Sequence, residues 1–306
     1  EHADAVDEQL QIVALQLFFV QQVVDDIYTD PDSMPQPYYY SSQPLQSACM
    51  VIDPFTGEIK AIGGAIGEKD RNFGFNYAID AHRPSGSSAK PLASYGPAMD
   101  LGLITESTLV DDSPDIQLRG TYWYPRNSGG AYDGIITIWD ALVRSKNTVA
   151  AQIIDKLTPS VSFEYLTERM GFQLVEADRD YAPLALGQFT YGVTVREMAQ
   201  AYTSFPNDGE MTYARSYSLI TDSNGNTVLE NGMRTSHVFS VDTARCMTEM
   251  LEAAAWYGTG YEVYLGYGKM PVAGKTGTTS DDYDRWFCGF SPYYVTAVWT
   301  GYDMPE

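Results

Sequence analysis

The distribution of β-type runs constrains this 306-residue chain more than any other feature. Ala48 to Ile52 and Glu58 to Ile62 are β-prone segments joined by Asp53-Pro54-Phe55-Thr56-Gly57, whose proline and glycine suit a tight turn. Three more β-rich runs, Val272 to Thr279, Arg285 to Phe290 and Tyr294 to Tyr302, close the chain with short connections, as in a meander. Between these blocks the periodicity is mainly helical: Thr137 to Arg144, Thr148 to Leu157, Val161 to Met170 and Val195 to Phe205. Ser240 suits an N-cap for a further helix reaching Trp256, with Gly258-Thr259-Gly260 as its stop. A second hairpin is expected where Ser216 to Thr221 and Thr227 to Glu230 flank Asp222-Ser223-Asn224-Gly225-Asn226. Strands at both ends around helices predict an α+β fold: a central antiparallel sheet covered by helices, with an inserted all-helical lobe.

Residues 4 to 28 place Ala5, Leu10, Val13, Leu17, Val20 and Val24 at helical spacing, and Thr29 to Pro44 turn to Pro, Asp, Ser, Gln and tyrosine. The expected division is an N-terminal helix and linker over 1–44 and one domain over 45–306. Asp111 to Ser113 and Gly120 to Gly134 read as surface excursions. Because the first residues enter a helical pattern without an initiator methionine, the chain is expected to be part of a longer protein.

Composition excludes several classes. A net charge of −21 repels a phosphate backbone and an anionic membrane surface, so nucleic acid is not an expected partner. Cys49, Cys246 and Cys288 are odd in number and far apart, and read as small buried hydrophobes. His2, His82 and His237 have no partner at ligand spacing, so neither a metal nor a cofactor is expected.

Chemistry is suggested by Ser87-Ser88-Ala89-Lys90, at the start of a helix expected to run from about Ser87 to Leu101. One turn separates Ser87 from Lys90, so the two side chains share a face and the amine can take the hydroxyl proton. The first turn also aims free N–H groups at developing negative charge, and Pro91 is tolerated there. A Ser-x-x-Lys arises about once by chance in a chain this long. Two further motifs change its weight: Ser145-x-Asn147 offers a hydroxyl and a carboxamide, and Lys275-Thr276-Gly277-Thr278-Thr279 offers a cation, hydroxyls and a glycine on a strand. In this order the three are the motif set of penicillin-binding proteins and class A β-lactamases.

From about Gln46 onward the chain resembles the transpeptidase domain of a class A, bifunctional penicillin-binding protein. Further matching stretches are Ile52-Asp53-Pro54, Thr56-Gly57-Glu58-Ile59, Phe75-Asn76, Leu184-Ala185-Leu186-Gly187, Gly258-Thr259-Gly260, Trp286-Phe287 and Val298-Trp299-Thr300-Gly301-Tyr302-Asp303. Departures are Ser85 where the family has proline, Ala89 where an aromatic residue is common, and Tyr77 where an arginine usually follows Phe-Asn.

The resemblance implies a peptidoglycan D,D-transpeptidase that cross-links stem peptides through a serine acyl-enzyme and is acylated by β-lactams. It implies Ser87 as nucleophile, Lys90 as neutral base, Ser145 as proton relay and Asn147 as the residue holding Lys90 and the substrate amide. Lys275, Thr276 and Thr278 would bind the terminal carboxylate, with Gly277 beside them in the substrate-binding strand, and the backbone N–H groups of Ser87 and Thr278 would form the oxyanion hole. It further implies an upstream glycosyltransferase domain, a membrane anchor and work on the extracytoplasmic face of a bacterial membrane. The same serine would serve a β-lactamase or a D,D-carboxypeptidase. A non-catalytic domain that only senses β-lactam or peptide is the alternative of another class.

Overall fold

The computed structural model describes residues 43–67, 72–121, 123–279 and 282–304. The helix expected over residues 4 to 28 lies outside them.

The sheet joins the two ends of the domain. Strands β1 (Gln46–Ile52) and β2 (Ile59–Gly63) form the first hairpin, in which the Asp53 carboxylate accepts from the N–H groups of Phe55 and Thr56. Strands β3 (Leu109–Asp112) and β4 (Gly134–Thr137) pair as a small ribbon, as do β5 (Glu210–Thr212) with β8 (Thr235–His237) and β6 (Leu219–Thr221) with β7 (Thr227–Glu230). The chain then ends in β9 (Ala273–Thr278), β10 (Asp284–Phe290) and β11 (Val295–Gly301). The five-stranded antiparallel sheet has the order β2-β1-β11-β10-β9, with Gln46 opposite Gly301 and Ile52 opposite Val295. β11 is the central strand with β1 beside it, and both are buried along nearly their whole length, as strands covered on both faces are.

Among the described residues the α-helices are α1 (Gly96–Asp100), α2 (Ile138–Val143), α3 (Asn147–Leu157), α4 (Pro159–Glu164), α5 (Tyr181–Leu186), α6 (Val195–Tyr202) and α7 (Val241–Trp256). α6 packs on β1, β10 and β11, while α7 packs on β9. Thr194 and Glu197 close a reciprocal capping box at the start of α6, and Ser240 caps α7 as the sequence predicts.

Three expectations need correction. The helix expected over Ser87 to Leu101 is not uniform: Gly86–Ala89 winds as a 3-10 turn, Pro91–Tyr95 as a π turn, and only Gly96–Asp100 as α. Pro91 and Pro97 carry no N–H, so the run cannot keep an unbroken ladder; the Gly96 N–H instead reaches back to the Pro91 carbonyl. Asp111 to Ser113 is not a surface excursion, because Asp112 is fully buried at the end of β3. Of the cysteines, Cys49 and Cys288 are buried as expected, but Cys246 is only half-buried, its Sγ 3.8 Å from Glu106.

Candidate active site

Three glycines let three backbones interlock where the Ser87 turn begins. Gly86 has φ 56°, and a Cβ there would lie 2.6 Å from the Thr278 carbonyl oxygen and 2.8 Å from its nitrogen. A Cβ on Gly187 would meet the Gly86 carbonyl at 2.1 Å, and one on Gly277 would meet the Ser85 carbonyl at 2.2 Å. The contribution of Gly277 is thus the side chain it lacks: β9 can press against the turn. Ser87, half-buried, and Thr278, exposed, bring their backbones to this seam. Of the two adjacent serines only Ser87 opens toward solvent, since Ser88 is buried and donates to the Ser85 carbonyl at 2.7 Å.

One residue beyond that turn, Lys90 is fully buried. Its Nζ donates to the Ser145 carbonyl at 2.7 Å and to Asn147 Oδ1 at 2.7 Å, with Ser145 Oγ at 3.3 Å. Burial, and secondarily the charge of Lys275, hold its pKa well below the ordinary lysine value. The two close partners are carbonyl oxygens that can only accept. In the neutral amine these two carbonyls would take both N–H bonds, and the lone pair would be left to accept a proton.

Ser145 has φ 58°, left-handed backbone that a serine rarely adopts. The cause is the end of α2. The Lys146 N–H bonds to the Ala141 carbonyl at 2.9 Å and the Ser145 N–H to the Leu142 carbonyl at 3.0 Å, the paired bonds of a Schellman cap. Glycine is the usual residue at that position, so a serine there carries strain. The strained turn directs both the carbonyl and the hydroxyl of Ser145 to Lys90 before Asn147 opens α3.

On β9, Lys275 is also fully buried, and burial lowers its pKa to about 7. Its Nζ donates to Thr259 Oγ1 at 3.3 Å and to the Thr276 carbonyl at 3.2 Å, while Thr276 Oγ1 bonds Thr259 Oγ1 at 3.0 Å. Thr259 therefore joins the loop after α7 to the Lys275 strand. A carboxylate arriving beside Lys275 would restore its charge.

Sequence reasoning missed the support beneath Asn147. Asn127 Oδ1 accepts from the N–H groups of Asn147 at 2.8 Å and Thr148 at 3.3 Å, and the Arg126 carbonyl accepts from Asn147 Nδ2 at 2.8 Å. Asn127 in turn donates to buried Asp112, which forms an ion pair with Lys146 at 3.0 Å. No local pattern marks Asp112 or Asn127, which lie in stretches rich in Asp, Ser and Gly. Thr259 was visible only as part of a matching tripeptide.

A serine in the turn that opens a buried helical run on an α+β frame, followed three residues on by a buried lysine whose pKa is lowered, is the arrangement shared by transpeptidases and serine β-lactamases. Comparison with known proteins narrows it. Residues 47–305 match the penicillin binding protein transpeptidase domain. Penicillin-binding protein 1A of Clostridium acetobutylicum is 38% identical over 288 residues, covering 91% of this chain and 34% of that protein. Penicillin-binding protein 4 of Bacillus subtilis is 33% identical over 261 residues, covering 85% of this chain and 40% of that one. Among solved structures, penicillin-binding protein 1A from Haemophilus influenzae superposes with a TM-score of 0.73 at 26% identity, covering 85% of this chain and 43% of that chain. PonA1 from Mycobacterium tuberculosis in complex with penicillin V gives 0.70 at 27% identity, covering 86% and 71%. The chain belongs to the penicillin-binding protein transpeptidase family, and the relatives named penicillin-binding protein 1A are of the class A type. It spans about a third of the length of the first of these curated relatives.

Proposed function

We propose that the domain is a D,D-transpeptidase that cross-links peptidoglycan stem peptides and that β-lactams acylate at Ser87. The observation that carries the reading is the complete burial of Lys90 between the carbonyl oxygens of Ser145 and Asn147, since burial favours the neutral amine that can take a proton. In the reaction, Lys90 Nζ takes the Ser87 hydroxyl proton as Oγ attacks the penultimate D-alanine carbonyl. The oxyanion is received by the backbone N–H groups of Ser87 and Thr278. Collapse breaks the C–N bond, and Ser145 relays a proton to the departing D-alanine. Lys275, with Thr276 and Thr278, binds the terminal carboxylate. An amine of a second stem peptide then attacks the ester carbonyl, its proton passes through Lys90 to Ser87 Oγ, and the ester C–O bond breaks, which forms the cross-link and frees Ser87.

The same reading assigns the full protein an upstream glycosyltransferase domain, a membrane anchor and a place on the extracytoplasmic face. Among the described residues no helix is long and apolar enough to cross a membrane. The test is labelling with a fluorescent penicillin, located by mass spectrometry, followed by turnover of a D-Ala-D-Ala peptide with an amine acceptor. One adduct on Ser87, absent in Ser87→Ala, is expected. An unlabelled parent, or a Ser87→Ala variant that labels equally well, would end the proposal.

A further inference from the structure

Asn147 is the first residue of α3, and the residue before it, Lys146, makes no side-chain cap to the helix. The leading N–H groups of a helix have no acceptor within it. Here the acceptor comes from twenty residues upstream: a single oxygen, Asn127 Oδ1, takes the N–H groups of both Asn147 and Thr148. What prevents the Asn127 amide from turning over is its other end. Asn127 Nδ2 donates to Asp112 Oδ1 at 2.6 Å and to the Ala131 carbonyl at 3.0 Å, and neither oxygen can donate back. Asp112 is itself fixed, accepting from the Asp133 N–H at 2.9 Å, from Thr148 Oγ1 and from Lys146 Nζ. The neighbouring Arg126 carbonyl fixes the second degree of freedom. By accepting from Asn147 Nδ2 it obliges Oδ1 of that amide to face Lys90.

We propose that Asn127 is a positioning residue for the acylation step: its side chain, locked by Asp112, caps α3 and sets Asn147 so that the Asn147 carbonyl oxygen meets the Lys90 amine. This rests on the transpeptidase reading above. Asn127 bonds Asn147, which bonds Lys90, so its influence passes through Asn147.

The test compares Asn127→Ala, Asn147→Ala and their double variant in rate of acylation by a fluorescent penicillin. Amide hydrogen exchange is measured on the same proteins. Asn127→Ala should slow acylation by about 10- to 100-fold, because a small misplacement of a reacting group costs that much. The double variant should be no slower than Asn147→Ala alone. Exchange at the Asn147 and Thr148 amides should accelerate in Asn127→Ala while the strands of the central sheet stay protected.

Asn127→Asp supplies a variant of the same shape. It keeps the capping oxygen but sets a second carboxylate against Asp112, and adding Asp112→Asn restores a donor–acceptor pair. Lys146 keeps its 2.7 Å ion pair to Asp133 in that exchange. The double exchange should recover most of the rate lost in Asn127→Asp. Parental acylation by Asn127→Ala, full additivity with Asn147→Ala, or unchanged exchange at both amides would overturn the proposal. An unreactive parent would sink the acyl-transfer reading instead, and the exchange measurement would still decide the cap.

Discussion

Replacing Ser145 by glycine should separate the stability of this domain from its chemistry. Ser145 occupies the left-handed position of a Schellman cap, with φ 58°. A side chain there costs about 1–2 kcal/mol, which glycine avoids. Glycine also brings a more flexible unfolded chain, worth about 0.5–1 kcal/mol against folding. The difference favours the variant by about 0.5–1 kcal/mol, or roughly 1–3 °C in Tm for a domain of this size. The shorter bond to Lys90 comes from the Ser145 backbone carbonyl and survives, and only the 3.3 Å hydroxyl contact is lost. Function should move the other way. A proton relay contributes about 10²- to 10⁴-fold, so the variant should acylate correspondingly slowly. Thermal melting and stopped-flow acylation with a fluorescent penicillin measure the two effects on one sample. Ser145→Ala is the control, as it removes the hydroxyl and keeps the strain. A glycine variant less stable than the parent would refute the strain argument, and parental acylation would refute the relay.

Three further outcomes are expected. Lys275, with a folded-state pKa of about 7 against an unfolded value of 10.5, binds fewer protons when folded than when unfolded between those pH values. Stability should therefore rise with pH in that window, by about 1.4 kcal/mol per unit from this group; Lys275→Met should flatten the rise in denaturant titrations from pH 7 to 9.5, and an unchanged slope would exclude the assignment. Ser85 is fully buried, and its hydroxyl has no hydrogen-bond partner among the described residues. Ser85→Ala should stabilise the domain by about 1 kcal/mol by removing an unsatisfied group, with acylation intact, and a loss of stability in urea unfolding would show a hidden partner. Gly187→Ala places a Cβ 2.1 Å from the Gly86 carbonyl at φ 65°. It should cost about 3 kcal/mol or more and slow labelling of Ser87 by displacing the turn; wild-type melting and labelling would contradict the interlocked seam.

How much was legible follows from how far each contact reaches. The hairpin at Asp53 to Gly57 and the strands around Lys275 and Trp299 are written in turn residues and apolar runs, which act over a few residues. The Ser240 cap is local too. The mixed winding after Ser87 was half legible. Pro91 and Pro97 announce missing donors, but which winding absorbs the loss depends on the packing of all five residues from Pro91 to Tyr95 in the core. Asp112 misled because short polar stretches resemble surface loops. Its burial is compensated by Lys146, Asn127 and Thr148, none of them adjacent in sequence.

By itself, the sequence determined which side chains could do chemistry and on what elements they would lie: a serine and lysine one turn apart, a Ser-x-Asn turn, and a Lys-Thr-Gly strand. Those are matters of residue type and short spacing. Only the tertiary structure decided their state. Lys90 and Lys275 lose their water by being enclosed, Ser145 is strained by the helix end that precedes it, and Asn147 takes its orientation from Asn127 and Arg126 across the fold. Protonation, strain and orientation are set by desolvation and by partners distant in sequence, which no local pattern encodes.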